Sequence, residues 1–289
     1  AAGLLDAGHV RDDPDCRARI DVVPMGVPVS APVAAAGHPL RERLPSVGPA
    51  DFVLLWSSKI LAWQDPVTLL RAMQRLAAED PTIKLVFLGT GEQSPAGRAS
   101  WLDPVAARTR EAFALAESLG LRDRTVFFVT ERVAYRDIGS FYRDADAGIA
   151  TYPASLETRY CLGTRLLDYV WAGLPIVVSG MDLQRDFVEG RRLGVFAAAH
   201  DVDALVKAIL RMKADVRGGV FSSEDFTAAR RALAWPAVTA PVARFCESPA
   251  ARSRKPRRRV VAALGQIAEF AARSIGCRLA MRFARGADT

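Results

Sequence analysis

The chain has 289 residues, of which 50% are hydrophobic and 25% charged, and its 39 Lys and Arg exceed its 32 Asp and Glu to give a net charge of +7. This composition marks a soluble globular protein able to bury a sizeable core in one large or two small domains. Its apolar runs, such as residues 52–56 and 176–178, fall far short of the roughly 20 residues that cross a bilayer.

Strands and helices alternate along the chain, the signature of a parallel α/β sheet. Residues 20–23 are expected to form a first strand, and the Pro- and Ala-rich residues 28–49 a surface connection. A second strand over 52–56 leads into a helix over 66–78, whose Leu69, Leu70, Met73 and Leu76 share one face. A third strand (83–88), the loop Gly89-Thr-Gly-Glu-Gln-Ser-Pro95, a helix (105–119) and a fourth strand (125–129) follow. Residues 138–144 read as a helix, 147–150 as a strand, 164–172 as a helix, 176–179 as a strand covered on both faces and 203–213 as a helix. No internal repeat is evident.

The block from Glu157 to Pro175 carries the most chemistry. In its helix, Leu166, Leu167, Val170 and Trp171 are expected to face a core, with Arg165 and Asp168, three apart, on the other side. Gly173 ends the helix and Pro175 prevents its continuation. In open α/β sheets ligands gather at the carboxyl ends of strands, where loop amides and helix N-termini converge. The loops in question are Ser57-Ser-Lys59, 89–91, 131–135 and 153–163, which one cleft could hold together. Plain structural roles compete for each residue: Arg165 and Asp168 as a surface ion pair, Lys59 as a solvated loop lysine, Gly89-Thr-Gly91 as an ordinary turn. Asp144-Ala-Asp146 imitates a metal-binding Asp-x-Asp but sits where a helix meets a strand, so capping and turn chemistry are expected of it. Trp56, Trp63, Trp171 and Trp235 read as core or cleft wall.

Cys16, Cys161, Cys246 and Cys277 show no Cys-x-x-Cys spacing, and His9, His38 and His200 are equally scattered, so no zinc site or disulfide framework is expected. Cys161 reads as a small buried hydrophobe, and a reducing cytoplasm is the expected compartment. No signal peptide is read, and the Ala-Ala-Gly start in place of Met is expected of a truncated sequence.

Taken together, Ile20-Asp-Val-Val-Pro-Met-Gly26, Leu55-Trp56 through Trp63-Gln-Asp-Pro66, Leu85-Val-Phe-Leu-Gly89, Tyr142-Arg-Asp-Ala-Asp-Ala147, the Glu157 block with Glu-Thr-Arg, Thr-Arg-Leu-Leu-Asp-Tyr and Trp-Ala-Gly-Leu-Pro, and Val202-Asp-Ala-Leu205 resemble the bacterial family 4 glycosyltransferases. The resemblance implies the carboxy-terminal, donor-binding half of a GT-B enzyme. Residues 20–249 would be a Rossmann-like parallel sheet with helices on both faces, and 1–19 a remnant of the link to a missing amino-terminal domain. It further implies a retaining, metal-independent transfer from a nucleoside-diphosphate sugar to a glycan or lipid-linked acceptor, without a cofactor. By resemblance, Lys59 takes the place of a phosphate-binding Arg, and Gln64 that of a Lys, which leaves Arg165 and Arg159 as compensating cations. Ser57 and Ser58 stand where the family has glycines. Asp168 would hold the ribose diol, since a carboxylate accepts two hydrogen bonds from vicinal hydroxyls, and Glu157 the sugar hydroxyls, though ten residues separate the two instead of the usual seven. Arg132 and Val133 would lie near the base, with Gly89, Gly163 and Thr164 completing the donor pocket.

The rival reading is a noncatalytic nucleotide-sugar-binding module or inactive fragment, because a GT-B enzyme needs a second Rossmann-like domain. The isolated chain is therefore expected to bind without turnover. A glycosidase would call for opposed carboxylates across the scissile bond, and a dehydrogenase for a Gly-x-Gly-x-x-Gly opening a helix.

Residues 251–289 hold ten Lys or Arg against two Asp or Glu, a net of +8, which leaves −1 for the rest. Val260, Leu264, Ile267, Ala271 and Ile275 repeat at helical spacing after the basic run 252–259, so 250–289 read as a basic amphipathic helical tail. Two roles stay open for it: lying on the anionic inner face of the cell membrane, or packing across the domain interface. No stacking-aromatic pattern accompanies the charge, so nucleic acid ranks last.

Overall fold

The computed structural model describes residues 21–33, 37–57, 59–90, 103–131 and 133–247. These fall into two units, one formed by residues 25–238 and the other by the segments on either side. The larger unit is built on six parallel strands: β1 (Phe52–Ser57), β2 (Ile83–Leu88), β3 (Val126–Val129), β4 (Ala147–Thr151), β5 (Ile176–Gly180) and β6 (Gly194–Ala198). Their order, β3-β2-β1-β4-β5-β6, makes the chain wind outward in both directions from β1 and β4. This is the doubly wound Rossmann arrangement expected from the sequence, with its switch point between those two strands.

The helices, in chain order, are α1 (Pro39–Arg43), α2 (Pro66–Glu79), α3 (Asp103–Ser118), α4 (Tyr135–Arg143), α5 (Leu156–Tyr160), α6 (Thr164–Ala172), α7 (Asp182–Val188), α8 (Val202–Arg217), α9 (Ser223–Ala232) and α10 (Trp235–Val238). Strand alternation divides the core into two layers. Val53, Leu55, Val86, Leu88, Ala150, Tyr152, Ile176 and Val178 meet α4, α6, α7 and α9 on one face. Phe52, Leu54, Trp56, Leu85, Phe87, Ile149 and Val177 meet α2, α3 and α8 on the other. Both faces being covered, the central strands are apolar throughout, as the sequence runs imply.

Local chemistry sets the helix ends. Asp65 caps α2 by accepting the Thr68 N–H at 3.0 Å, and Pro66 occupies the first turn, where its missing N–H leaves nothing unpaired. Gly173 closes α6 in the left-handed region at φ 73°. The Asp144-Ala-Asp146 turn behaves as its position implied. Asp144 accepts the amides of Leu40 and Arg41 at 2.8 and 3.0 Å, and Asp146 accepts Val53 N–H at 2.7 Å and the Arg41 guanidinium at 3.1 Å. Burial raises the Asp146 carboxyl above its ordinary range, against these bonds.

Several expectations are corrected. Residues 21–23 are not a strand; Val22 and Val23 are exposed and unpaired, and Pro24 favours extension without supplying a ladder donor. It is Val27 that makes an isolated bridge, to Ala234. The connection over 28–49 includes α1, whose Leu40 is fully buried. The edge strand β6 and helices α5, α7 and α9 were not anticipated: β6 is short and alternates half-buried with buried positions, a weak signal. Its Gly194 is required by a close approach, since a Cβ there would lie 1.8 Å from the Ile176 carbonyl oxygen.

In the second unit, Ala240–Glu247 is an additional helix, α11, with no buried residue, and Arg244 reaches Asp21 at 3.5 Å. The basic tail lies outside the described residues. Among the described residues, no helix is long and apolar enough to cross a membrane.

Candidate functional site

The site forms where the central ladder splits. β1 and β4 pair only at Leu54↔Ala147 and Leu55↔Gly148, after which their carboxyl ends diverge. The Tyr169 side chain, from α6, fills the gap. Its hydroxyl donates to the Leu55 carbonyl at 2.7 Å, with the Ile149 carbonyl at 3.1 Å sharing the proton, and it accepts the Ser57 amide at 3.2 Å. Gly148 makes room for the ring, which a Cβ would meet at 2.5 Å. The segment leaving β1 returns to β4 through Asp65, whose amide donates to the Thr151 carbonyl at 3.0 Å and whose carbonyl accepts the Thr151 hydroxyl at 2.5 Å.

Arg165 lies in this crevice rather than on the solvent face. It is only 4% exposed, its Nε donates to the Ser57 carbonyl at 2.5 Å, and its Nη2 donates to the Lys59 carbonyl at 3.2 Å. The guanidinium also lies over the Trp56 ring, 4.4 Å from its centroid. The surface ion-pair reading is thereby corrected: α6 packs with its first turn against the β1 exit, so the polar side of the helix is interior there. Gln64 is buried as well, and its Oε1 accepts the Leu61 amide at 2.8 Å.

Asp168 sits one turn further along α6, half-buried. Burial pushes its carboxyl up to about 6, against the opposing influence of the Arg165 charge and a hydrogen bond from the Tyr142 hydroxyl. Tyr142 is itself raised by burial and by the Asp168 charge. A carboxylate with acceptor capacity to spare beside a buried phenol is suited to hold vicinal hydroxyls.

The other anticipated residues are distributed around the carboxyl ends of the strands. Lys59 follows β1 with its side chain exposed. Gly89 ends β2 at φ 76°, with nothing among the described residues within 4 Å of where a Cβ would stand. Val133 is half-buried after β3. Glu157 and Arg159 are exposed on α5, which Ser155 and Thr158 cap reciprocally. Thr164 is exposed at the start of α6, and Cys161 is half-buried. Ser58 and Arg132 lie outside the described residues.

Four residues of the site carried no sequence signal of their own, two of them, Tyr142 and Tyr169, inside the blocks that resemble the family and two, Gln184 and His200, outside any of them. Gln184, fully buried in α7, donates to the carbonyls of Thr158 and Cys161 at 2.8 Å each, holding the loop after α5. His200, after β6, is held at φ 61°; its Nδ1 meets the Asp65 carboxylate at 3.1 Å and its Nε2 accepts the Ala154 amide at 3.3 Å. Only tertiary neighbours distinguish these from ordinary helix or loop residues.

Gly163 opens α6 at φ 79°, and a Cβ there would lie 2.3 Å from the Tyr152 hydroxyl, which is buried and has no hydrogen-bond partner among the described residues. Burial pushes that hydroxyl up to about 12. Gly163→Ala is expected to destabilise the protein by about 1–3 kcal/mol, since backbone strain and the clash act together. Gly89→Ala, strained but unobstructed, should cost less. Paired urea titrations check this, and equal losses would show that the Tyr152 contact is immaterial.

The family described as "Glycosyl transferases group 1" matches residues 51–215. D-inositol 3-phosphate glycosyltransferase of Streptosporangium roseum is 27% identical over 197 residues, covering 67% of this chain and 41% of that protein. Sucrose-phosphate synthase from Thermosynechococcus elongatus shares the fold with a TM-score of 0.60 at 19% identity, over 83% of this chain and 55% of its own. A glycosyltransferase from Rickettsia africae does so at 0.62 and 12%, over 85% and 62%. HepE from Anabaena, solved in complex with UDP, does so at 0.53 and 16%, over 73% and 52%. The chain thus spans about half the length of these structures, and less than half of the D-inositol 3-phosphate enzyme.

Proposed function

The chain belongs to the glycosyl transferases group 1 family, and from that premise we propose that it is the carboxy-terminal, donor-binding half of a family 4 enzyme that binds a nucleoside-diphosphate sugar. The observation that carries the reading is the β1/β4 crevice, which holds the buried Arg165 cation and, one helical turn on, a carboxylate raised by burial, at the carboxyl ends of the parallel strands. In this reading Asp168 accepts the ribose hydroxyls, and Lys59 and Arg159 meet the diphosphate, with Arg165 supplying positive charge from within. Glu157 meets the sugar, and the loop over 131–133 lies near the base. Guanidinium and ammonium groups can stabilise the departing diphosphate where other enzymes use a metal. Retention, metal independence, a glycan or lipid-linked acceptor, and a cytoplasmic place with peripheral attachment through the basic tail belong to the same proposal. Binding without turnover is the activity proposed for these 289 residues, which span less than half of the D-inositol 3-phosphate glycosyltransferase they resemble.

Isothermal titration with UDP, GDP and dTDP tests the proposal. One of the three is expected to bind, with no change on adding magnesium. Lys59→Ala should weaken that diphosphate about tenfold, the value of one charge-assisted contact, while leaving the matching nucleoside unaffected. If none of the three associates at millimolar concentration, the reading fails.

A further inference from the structure

A buried cation is costly unless its donors are satisfied and held in place, so the partners of Arg165 show what its position achieves. Among the described residues its donors reach the backbone carbonyls of Ser57 and Lys59, on the turn that leaves β1, and, at 3.5 Å, the Gln64 Oε1 further along the same segment. A trans peptide sets its carbonyl and its N–H antiparallel, so the amide of Ile60, which shares a peptide plane with the Lys59 carbonyl, is turned away from the guanidinium. The guanidinium carbon also lies over the Trp56 ring, 4.4 Å from its centroid, which adds a cation–π contact to the carbonyl contacts. Trp56 is fully buried at the penultimate position of β1. Three elements are thereby locked together: the end of β1, the turn bearing Lys59, and the first turn of α6 that leads to Asp168.

We propose that Arg165 is the positioning residue of the diphosphate subsite: its fork of donors fixes the turn after β1 so that Lys59 faces an anionic ligand, while the guanidinium itself does not touch that ligand. This rests on the donor-site reading above and deepens it. A flexible turn would lose affinity to ordering on binding; a clamp made in the free protein removes that loss. A lysine cannot replace it, because an ammonium on a flexible stem has no planar fork with which to hold two carbonyls and stack on an indole.

The test compares Arg165→Lys, which keeps the charge and loses the fork, with Arg165→Met, which loses both. Leu166→Ala, which truncates a fully buried neighbour, serves as a control for loss of stability alone. Using whichever of UDP, GDP or dTDP binds the wild type, Arg165→Lys is expected to weaken binding about tenfold. Leu166→Ala should leave affinity within about twofold despite a lower melting temperature. The charge is read separately: Arg165→Met should move the pH midpoint of binding upward, because Asp168 loses the positive neighbour that opposes its protonation. Arg165→Lys should leave that midpoint near the wild-type value. Hydrogen exchange without ligand gives an independent readout, with amides 59–64 expected to exchange about tenfold faster in Arg165→Lys. Undiminished affinity in Arg165→Lys, an equal loss in Leu166→Ala, or unchanged exchange over 59–64 would each overturn the assignment. Failure of the wild type to bind any of the three nucleotides overturns the donor-site reading instead, and the exchange measurement still judges the clamp.

Discussion

Tyr169→Phe is expected to lower the unfolding free energy by about 2–4 kcal/mol, a large effect for one oxygen atom. The hydroxyl it removes serves the Leu55 and Ile149 carbonyls and the Ser57 amide, all at the point where β1 and β4 part. At the switch point of a doubly wound sheet no ladder is available to those groups, because the pairing ends at Leu55↔Gly148. Phenylalanine would retain the ring that packs against Gly148 and the T-shaped contact with Tyr142 at 6.0 Å, so the loss isolates the hydrogen bonds. The Ser57 amide, left unpaired, would pull on the turn that carries Lys59, so nucleotide affinity should decline with stability. Urea denaturation with the slope monitored gives the free energy; a loss below about 0.5 kcal/mol would mean that water replaces the hydroxyl and that the crevice is wetter than its burial implies.

Asp168→Asn is expected to move stability and binding in opposite directions. The Asp168 carboxyl is raised to about 6 by burial, whereas in an unfolded chain it titrates near its ordinary value of 3.8. Below that lower value both states are protonated and the residue is neutral with respect to folding. As pH rises from about 4 to about 6 the unfolded chain releases its proton first, so the folded state loses stability across this window and recovers none above it. The full shift corresponds to about 3 kcal/mol, and partial exposure reduces the expected effect to about 1–2 kcal/mol. Asparagine removes the ionisation, so the variant should be more stable than the wild type by that amount at pH 7.5 and indistinguishable from it near pH 3.5. Its affinity for the nucleoside diphosphate should fall about tenfold, since a charged acceptor becomes a neutral one. Wild-type binding should strengthen as pH rises through about 6. A gain in stability with a loss of affinity is what a residue kept for function shows; a variant that binds as the wild type does would remove Asp168 from the ribose role.

Helix α6 and strand β2 run where the periodicity placed them, and β1, β4, β5, α2 and α8 differ by a few residues at their ends. Continuous β-branched runs bounded by Gly, Pro and Asp leave little choice, because a strand covered on both faces must be apolar along its whole length. Residues 21–23, the described part of the expected first strand, deceived for the same reason: Asp-Val-Val follows Ile20 with strand composition, but whether a segment finds a ladder partner is decided by the sheet and not by the segment. The pattern in the Glu157 block identified the residues that matter without revealing which way they face.

What the sequence determined, then, is the class of fold and the roster of charged residues, since periodicity and turn chemistry act within a few residues of themselves. What only the tertiary structure decided is burial and partnership. Arg165 and Asp168 are three apart on one helix, yet the first is closed over by the exit of β1 and the second meets Tyr142 from α4, so one becomes a clamp on backbone carbonyls and the other a carboxyl titrating near neutrality. The cost of desolvating a charge depends on atoms brought together from distant parts of the chain, and helical spacing carries no information about them.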